Sequence, residues 1–577
     1  MNNSAKERIH ESELGSTTGP RRAGYAPLLF VLMCWCVVLV AAEFMYRPPQ
    51  PLPADAPADQ FSAERAEEHL HKLVADSIPH PAGSEQNKIV RKRVVEIFQS
   101  FGCTTEIHET SAKLRYRRTK DDPDTVPLAN IIARLPGNSD DKLGAVAITS
   151  HYDSVPYGPG ASDDGVGTAA LLEVARMLKA EGGNRRDIVF LVSDGEEFGL
   201  MGARKFVEEH PLASEIEFVV NLEARGTTGP CLMFQTSEDS EFLIGLLNGT
   251  VSRPICSSVF YEVYRVMPND TDFTVYVKSG SRGFNYAYIG NVRGYHTPED
   301  NFENVDLGSL QHHGENALAL ARRLAALDDV EFEPRRAVYF DVMARGIVAW
   351  PERWSLWASC GCGILLIGLL IFFRPAIQLR DFGVVVGCVA VIMLVGWLID
   401  VGLKRDGRLD VPWTEQPLPI VAAFWFAMLA VHSFGSLFLS ERPASTWCVV
   451  WGAAIAVCLL TSTFIAGASY FFLIPTFVAI VAVVLLLPFT GRAWMSSSVA
   501  AAVFAGLAYL PMEQLFYDAL GFRLNFVLSV RSALLGATLV PILAGSAARV
   551  RQTMGFLFLA LFVISLVASV ILNPAEV

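Results

Sequence analysis

Residues 145–153 read Ala-Val-Ala-Ile-Thr-Ser-His-Tyr-Asp, a short apolar run suited to a buried β-strand that ends in His151 and Asp153. A stretch with helical apolar spacing follows at residues 165–181, and a second β-rich run follows at residues 188–193. Strands that alternate with helices in this way predict an α/β domain. Its central sheet is expected to be mixed and largely parallel, with helices packed against it. In such sheets ligands bind beyond the carboxyl ends of the strands.

Further runs on both sides extend this pattern. Helical spacing occurs at residues 61–76, 86–101 and 308–327, and β-rich runs occur at residues 128–135, 218–222, 232–236 and 284–289. The α/β domain is therefore expected to occupy residues 61–330.

Charge is distributed unevenly along the 577 residues. Residues 354–577 hold 11 Lys and Arg and 9 Asp and Glu, whereas the first 353 residues hold 36 basic and 50 acidic residues. An acidic, normally charged front part and a charge-poor back part exclude a purely soluble enzyme, a disordered chain and a basic nucleic-acid binder. The sequence instead predicts a globular domain attached to an all-α multi-span transmembrane domain.

Nine apolar stretches are long enough to cross a bilayer, which takes about 20 mostly apolar residues. They are residues 26–44, 355–373, 383–403, 418–439, 446–466, 470–488, 499–515, 526–547 and 554–572. The resulting organisation is a cytoplasmic tail at 1–24, a transmembrane anchor at 25–44, a linker at 45–60, the α/β domain at 61–330, a linker at 331–353 and a transmembrane domain of about eight helices at 354–577.

Basic residues set the orientation of membrane segments, because they accumulate in cytoplasmic loops. Lys6, Arg8, Arg21 and Arg22 precede the first span, so the amino terminus is expected in the cytoplasm. The α/β domain would then face a periplasm or an organelle lumen, in a bacterial inner membrane or in an endoplasmic reticulum or vacuole. The first span is expected to be an uncleaved anchor, with a cleaved signal peptide as the alternative.

Side chains that can bind metals follow the predicted strands, at the sheet edge where ligands bind. They are His151 and Asp153, Asp163 and Asp164 in the glycine-flanked turn 160–165, Glu196 and Glu197, Glu223, and His296. So many carboxylates in one crevice would repel one another and raise their pKa values. A pair of divalent cations removes this repulsion, and two metals about 3.5–4 Å apart form a known hydrolytic arrangement.

In order and spacing these motifs resemble the co-catalytic zinc aminopeptidase family, whose relatives include glutamate carboxypeptidase and glutaminyl cyclase. The motifs are His151-x-Asp153, Gly-Ala-Ser-Asp163-Asp164-Gly, Gly-Glu196-Glu197, Asn-Leu-Glu223 and Tyr-His296-Thr. The layout of one span, a peptidase domain and about eight further spans is similar to the membrane branch with endoplasmic reticulum metallopeptidase (Felix-ina) and vacuolar membrane protease. Soluble aminopeptidases usually carry Asp at the position of Glu223, whereas the membrane branch tends to carry Glu there.

The resemblance implies a zinc-peptidase fold, two Zn2+ ions and five metal ligands. His151 and Glu223 would hold one ion, Glu197 and His296 would hold the other, and Asp163 would bridge them.

The resemblance also implies the catalytic residues. Glu196 would be the general base, and Asp153 would orient His151 through the second ring nitrogen of that histidine. Asp272 and Tyr295 are candidate substrate contacts.

Each of these residues also has a structural interpretation when it is considered alone. A histidine after a strand is often a surface residue, Glu196-Glu197 suits a solvated turn, and Asp163-Asp164 suits a helix cap. The order of five ligand types at strand ends favours a metal site over these readings. His312 and His313, in contrast, are expected to be structural. The sequence also predicts solvated flanks for Asp400, Glu513 and Asp518 near the ends of spans.

The predicted function is that of a membrane-anchored metallopeptidase, a zinc exopeptidase and most specifically an aminopeptidase. Alternatives are a catalytically silent receptor-like or chaperone-like head, glutaminyl-cyclase-type activity on a membrane scaffold, or a transport role for the spans. The spans show no paired buried charges in the sequence, which disfavours transport. The expected partners are peptide substrates and the lipid bilayer, without nucleic acid; a homo-oligomer is left open.

Overall fold

The computed structural model describes residues 24–114, 124–141, 143–329, 333–405, 414, 416–440, 442–488, 490, 492–521 and 525–573. The chain divides into two compact units, Met45–Pro351 and, separately, Met1–Phe44 together with Glu352–Val577. Residues 1–23 of the predicted cytoplasmic tail lie outside the described residues.

The secondary structure of the first 351 residues begins with the apolar helix α1 and continues through the α/β unit. The helices are α1 (Ala26–Met45), α2 (Ala63–Val74), α3 (Glu85–Ser100), α4 (Gly167–Glu181), α5 (Met201–Glu209), α6 (Ser240–Leu247), α7 (Ser258–Tyr264), α8 (Asp272–Lys278) and α9 (Leu307–Ala325). The strands are β1 (Thr105–Lys113), β2 (Thr125–Leu135), β3 (Ala145–His151), β4 (Ile188–Ser193), β5 (Ile216–Ala224), β6 (Thr228–Thr236), β7 (Arg282–Gly290), β8 (Ala337–Asp341) and β9 (Ile347–Pro351).

Seven strands form one mixed sheet in the order β1-β2-β4-β3-β5-β7-β6. The four central strands β4, β3, β5 and β7 run parallel, and the outer pairs run antiparallel. Apolar side chains from α2, α3, α4 and α9 cover one face of the sheet, and those from α5 and α8 cover the other. Strands buried on both faces read as continuous apolar runs, which is why β4 was recognisable as Ile-Val-Phe-Leu-Val-Ser. The predicted α/β class, with a sheet that is parallel in its centre, is confirmed.

Parallel pairing fixes where the polar residues after the strands come together. His151 pairs with Ser193 at the carboxyl ends of β3 and β4, and Thr149 pairs with Asn221 of β5. The segments after β3, β4, β5 and β7 therefore leave the sheet at one edge. This edge carries the candidate site.

Some strands are not evident from the sequence. The edge strand β1 reads Thr-Glu-Ile-His-Glu-Thr-Ser-Ala-Lys and alternates between half-buried and exposed side chains. It lacks an apolar stripe because an edge strand buries little of its side-chain surface. The strands β8 and β9 form a two-stranded sheet within residues 331–353, which the sequence assigns to a linker.

The amino-terminal end of the α/β unit is hydrogen-bonded to the rest of that unit. The Arg253 guanidinium donates hydrogen bonds to the carbonyl oxygens of Met45 and Arg47, at 2.9 and 2.7 Å. The Tyr46 hydroxyl donates to Asp341 at 2.9 Å, and both residues are buried. Residues 45–47 therefore pack as part of this unit.

The remaining residues form apolar helices. They are α10 (Glu352–Phe373), α11 (Leu379–Arg405), α12 (Leu418–Gly435), α13 (Pro443–Phe464), α14 (Ser469–Leu486), α15 (Ala493–Tyr509), α16 (Met512–Leu520), α17 (Asn525–Ala544) and α18 (Ala548–Leu572). Within the described part of the chain, eight helices including α1 are long and apolar enough to cross a membrane. The pair α15 and α16, bent by 40°, would make a ninth span if it counts as one. The sequence predicts nine.

One prediction about the helical unit is wrong. Glu513 is buried rather than solvated, and its carboxylate pairs with the buried Arg531 guanidinium. The Trp425 indole N–H lies 2.9 and 3.0 Å from the two Glu513 oxygens. The helical unit therefore contains a buried charge pair, which the spacing of charges along the sequence did not reveal. By contrast, Asp400 pairs with the exposed Lys404 at 2.9 Å, as expected of a solvated flank.

Candidate metal centre

His151 is held at the carboxyl end of β3 by the residue two positions later. The Nδ1 atom of this buried histidine lies 3.0 Å from the Asp153 carbonyl oxygen and 3.5 Å from Asp153 Oδ1. Nε2 is thereby left facing the site. The family resemblance implies this orienting role for the Asp153 side chain, whereas the backbone carbonyl of Asp153 makes the shorter contact.

The Asp153 carboxylate instead joins the ends of two strands. It accepts hydrogen bonds from the backbone N–H groups of Glu196 and Glu197, at 3.0 and 3.2 Å. Asp153 is fully buried, so these charge-assisted bonds are shielded from water. They fix the turn that carries both glutamates.

Asp163 lies in the turn Ala161–Val166, which precedes α4. Gly160 begins this turn with φ of 68°, and a Cβ atom there would lie 2.7 Å from the Ser154 side chain. The Asp163–Asp164 peptide bond is cis. Asp164 turns inward and accepts hydrogen bonds from the backbone N–H groups of His151 and Gly167, so it belongs to the scaffold of the turn.

Two donor trios converge at the sheet edge and share one carboxylate. His151, Asp163 and Glu223 form the first trio, and Asp163, Glu197 and His296 form the second. Within each trio, one donor atom from each residue lies within 4.8 Å of the others. Five donors predicted from the sequence are thus brought together: His151 and Glu223 at the carboxyl ends of β3 and β5, and Asp163, Glu197 and His296 from the segments after β3, β4 and β7.

The electrostatics of the five side chains favour a cation. Burial raises the pKa of Glu223 to about 8 and also raises the pKa of Glu197. Burial alone would lower the pKa of His296, but hydrogen bonds with Asp163 and Glu197 raise it to about 10. Raised pKa values mean that these side chains hold protons more tightly, and the protons balance negative charge that the protein itself does not neutralise. A divalent cation would neutralise the same charge, so the donor set fits a metal site.

Glu196 belongs to neither trio but lies beside both. Burial, reinforced by the negative charges of Glu223 and Glu197, raises the pKa of the Glu196 carboxyl well above its usual value. A carboxyl group with a raised pKa can accept a proton and later release it near neutral pH. Glu196 is therefore suited to acid–base chemistry.

The two predicted substrate contacts lie in different settings. Tyr295 is half-buried and stacks on His296, with ring centroids 3.7 Å apart, and the Arg225 guanidinium lies 5.9 Å from its ring centroid. Asp272 is buried at the start of α8, where it accepts a hydrogen bond from the Ser193 hydroxyl. Contact of either residue with substrate stays a prediction.

Two residues that support the site were not predicted. The Asn221 amide donates to Glu223 at 3.3 Å and accepts from the Thr149 hydroxyl at 2.6 Å. The Asp300 carboxylate accepts hydrogen bonds from the turn that carries Asp163. Asn221 was visible as the neighbour of a strand-end ligand, but for Asp300 the only signal is its position four residues after His296.

Three further histidines, His80, His312 and His313, make structural contacts, as the sequence predicts for His312 and His313. The buried His312 accepts a hydrogen bond from the Cys231 N–H at 3.1 Å and contacts the Arg253 carbonyl oxygen at 3.0 Å. His313 Nδ1 lies 2.8 Å from the Cys231 sulfur, and burial lowers the pKa of His313 to about 3. His80 is bound through its backbone to Ser154, so its loop positions the chain after β3.

Comparison with known proteins agrees with this geometry. Residues 130–321 match the family model described as peptidase family M28, and this segment contains all five donors. Residues 130–321 are therefore similar to this peptidase family, and they are called the M28 domain below. The sequence-based resemblance to zinc peptidases of this kind is confirmed.

The chain is also similar to curated membrane peptidases over a longer stretch. The chain is 31% identical over 312 residues to endoplasmic reticulum metallopeptidase 1 of Mus musculus, covering 51% of this chain and 34% of the relative. It is 33% identical over 316 residues to the vacuolar membrane protease of Candida albicans strain SC5314, covering 54% and 36%. The match thus spans about a third of the length of these relatives.

Solved structures of similar fold include two bacterial enzymes. The aminopeptidase from Aneurinibacillus sp. strain AM-1 has a TM-score of 0.39 and 14% identity, covering 48% of this chain and 97% of the other. The glutaminyl cyclase of an Acidobacteriales bacterium has a TM-score of 0.37 and 19% identity, covering 48% and 99%.

Proposed function

We propose that this chain is a membrane-anchored di-zinc metallopeptidase that hydrolyses peptide bonds on the non-cytoplasmic side, acting as an aminopeptidase. The observation that carries the proposal is the pair of donor trios sharing Asp163, with Glu196 beside them but outside both. The presence of an M28 peptidase domain over the same residues supports it.

The donor chemistry suits zinc, which takes imidazole nitrogen and carboxylate oxygen in catalytic sites. His151, Asp163 and Glu223 would hold one ion, and Asp163, Glu197 and His296 would hold the other. When bound, such ions supply Lewis-acid polarisation of the scissile carbonyl and lower the pKa of the attacking water.

Glu196 would carry the proton through the reaction. Its carboxylate accepts one proton from the water whose oxygen attacks the carbonyl carbon. The same proton passes to the amine nitrogen as the C–N bond breaks, so Glu196 ends the cycle ionised. Asp153 contributes by binding the Glu196 backbone N–H, which keeps the carboxylate beside the donor trios.

The location of the M28 domain is supported by charge. Basic residues precede α1 and cluster in alternate loops between the later spans, which favours a cytoplasmic amino terminus. The first apolar helix would then deliver the M28 domain to a periplasm or a lumen. The two curated relatives are named for the endoplasmic reticulum and for the vacuolar membrane.

The decisive experiment uses the purified full chain, loaded with zinc, and peptides with free or acetylated amino termini. Wild-type protein is expected to release the first residue of free-amine peptides, and E196Q to lower kcat by about 10²–10⁴-fold while retaining zinc. E208Q is a matched control, because Glu208 is an exposed glutamate on α5 that pairs with Lys205.

Other outcomes distinguish the alternatives. Unchanged peptidase activity in E196Q would refute the mechanism. Wild-type protein that binds zinc but hydrolyses no peptide would favour a silent receptor-like head. Conversion of amino-terminal glutamine to pyroglutamate by the wild-type protein would favour cyclase chemistry. Cleavage of acetylated peptides at the same rate as free peptides would refute the aminopeptidase assignment.

A further inference from the structure

Asp300 binds the turn that carries the shared donor Asp163. Its carboxylate accepts hydrogen bonds from the backbone N–H of Ser162 at 2.6 Å through Oδ1 and from that of Asp163 at 3.2 Å through Oδ2. Its backbone carbonyl accepts a third bond, from the Ala161 N–H at 3.2 Å. Asp300 is only 2% exposed, so three consecutive N–H groups are satisfied by one buried residue.

Asp300 also belongs to the segment that carries His296. The Asp300 N–H donates to the Thr297 carbonyl at 3.0 Å, and the Thr297 N–H donates to the Gly294 carbonyl at 3.3 Å. These bonds make residues 294–300 a connected turn. Residues 294–300 thus supply His296 to the second trio and also bind the backbone of Asp163, which both trios share.

The turn at Asp163 needs such support because it is not a regular helix. Asp163 has φ of −108° and ψ of 92°, so its N–H cannot join a continuous helical ladder. The Tyr288 hydroxyl donates to the Ser162 carbonyl at 3.0 Å from another direction. Without the Asp300 carboxylate, two buried N–H groups would lose their acceptor.

We propose that Asp300 is a positioning residue that holds the Asp163 carboxylate between the two donor trios and couples it to the His296 segment. This inference rests on the proposed function, since it concerns how the metal donors are oriented. Outer residues that orient metal ligands typically change metal affinity by about 10–100-fold when they are removed.

The test measures metal binding rather than activity alone. Wild-type full-length protein, D300A and D300N are stripped of metal and titrated with Zn2+ against a chromophoric chelator, and the visible spectra of their Co2+-loaded forms are compared. D300A is expected to bind Zn2+ at least tenfold more weakly and to show an altered Co2+ spectrum. D300N keeps one acceptor oxygen and is expected to fall between D300A and the wild type.

The control variant is D306A. Asp306 caps α9 by accepting the Ser309 N–H at 2.7 Å, so it is also an aspartate that binds backbone in the same region. Among the described residues, its side chain bonds to Ser309 and to none of the five metal donors. D306A is expected to lower thermal stability without changing Zn2+ affinity or the Co2+ spectrum.

Each outcome decides the matter. Wild-type protein that binds no metal would overturn the proposed function and this inference together. Wild-type binding matched by D300A would overturn the inference alone. If D300A fails to fold, D300N decides, and wild-type affinity and spectrum in D300N would contradict the positioning role.

Discussion

His296 Nε2 lies 3.0 Å from Asp163 Oδ2, although 133 positions separate the two residues in the chain. The other oxygen, Asp163 Oδ1, lies 3.3 Å from His151 Nε2. One carboxylate therefore faces a histidine on each side. This arrangement lets Asp163 serve both trios and makes each histidine specific to one of them.

Replacement of His296 should affect one metal and spare the other. H296A removes a donor from the trio with Glu197 and leaves the trio of His151, Asp163 and Glu223 complete. Zinc content measured by atomic emission is expected to fall from two ions to one per chain, with a loss of peptidase activity. H71A is the control, since His71 is exposed and makes an edge-to-face contact with the Phe302 ring. Retention of two tightly bound ions in H296A would contradict the assignment of this histidine.

The ring of Tyr295 is expected to matter more than its hydroxyl. The ring stacks on His296 with an interplanar angle of 18°, so Y295A should loosen the imidazole and weaken zinc binding several-fold. Y295F keeps the ring and is expected to bind zinc within about twofold of the wild type. Kinetics on the same variants test the substrate contact, because a hydroxyl that binds substrate would raise KM in Y295F without changing zinc affinity.

A buried carboxylate away from the candidate metal centre should make the α/β unit sensitive to acid. Burial would raise the pKa of Glu173, but hydrogen bonds from Arg176 and Arg65, together with the His69 ring 3.6 Å away, outweigh burial and lower it to about 2. A pKa below its unfolded value stabilises the folded state above about pH 4.5, and this stability is lost as pH falls toward 2. The shift corresponds to about 3 kcal/mol at neutral pH.

The test compares unfolding of wild-type protein and E173Q from pH 7 down to pH 2. E173Q should unfold at a lower temperature at pH 7, and the difference should shrink as the pH approaches 2. E181Q is the control on the same helix, because Glu181 lies near the surface beside Arg322. A constant difference across this pH range would show that Glu173 ionisation does not contribute.

The buried pair in the helical unit should show strong coupling. E513L leaves the Arg531 charge buried without its carboxylate, and R531M leaves the Glu513 charge buried beside the Trp425 indole donor. Breaking a buried pair costs about 3–5 kcal/mol, whereas replacing both members by apolar residues is often nearly neutral. The double variant is therefore expected to be more stable in detergent than either single variant.

A surface pair supplies the comparison. K404M breaks the pair of Lys404 with Asp400, which is exposed on the lysine side and should cost less than about 1 kcal/mol. If the double variant of Glu513 and Arg531 lost as much stability as the two single variants together, the coupling would be contradicted.

The class of fold could be predicted because local patterns report burial. The apolar runs of β3, β4 and β5 are buried on both faces, and α4 shows its packing in its apolar spacing. The edge strand β1 and the hairpin of β8 and β9 were missed. The residues of β1 and β9 are half-buried or exposed, and β8, although mostly buried, is only five residues long, so the sequence carries little of the signal that marks a core strand.

The sequence by itself determined which side chains follow the central strands, because strand ends and chemical types are local properties. It also determined the contrast between a charged α/β part and apolar spans, since lipid requires long runs without charge. Only the tertiary structure decided that the Asp153 carbonyl makes the short contact to His151, that Asp300 grips the Asp163 turn and that Glu513 meets Arg531. These contacts join segments that are distant in the chain or depend on backbone direction, and neither property is written in local composition.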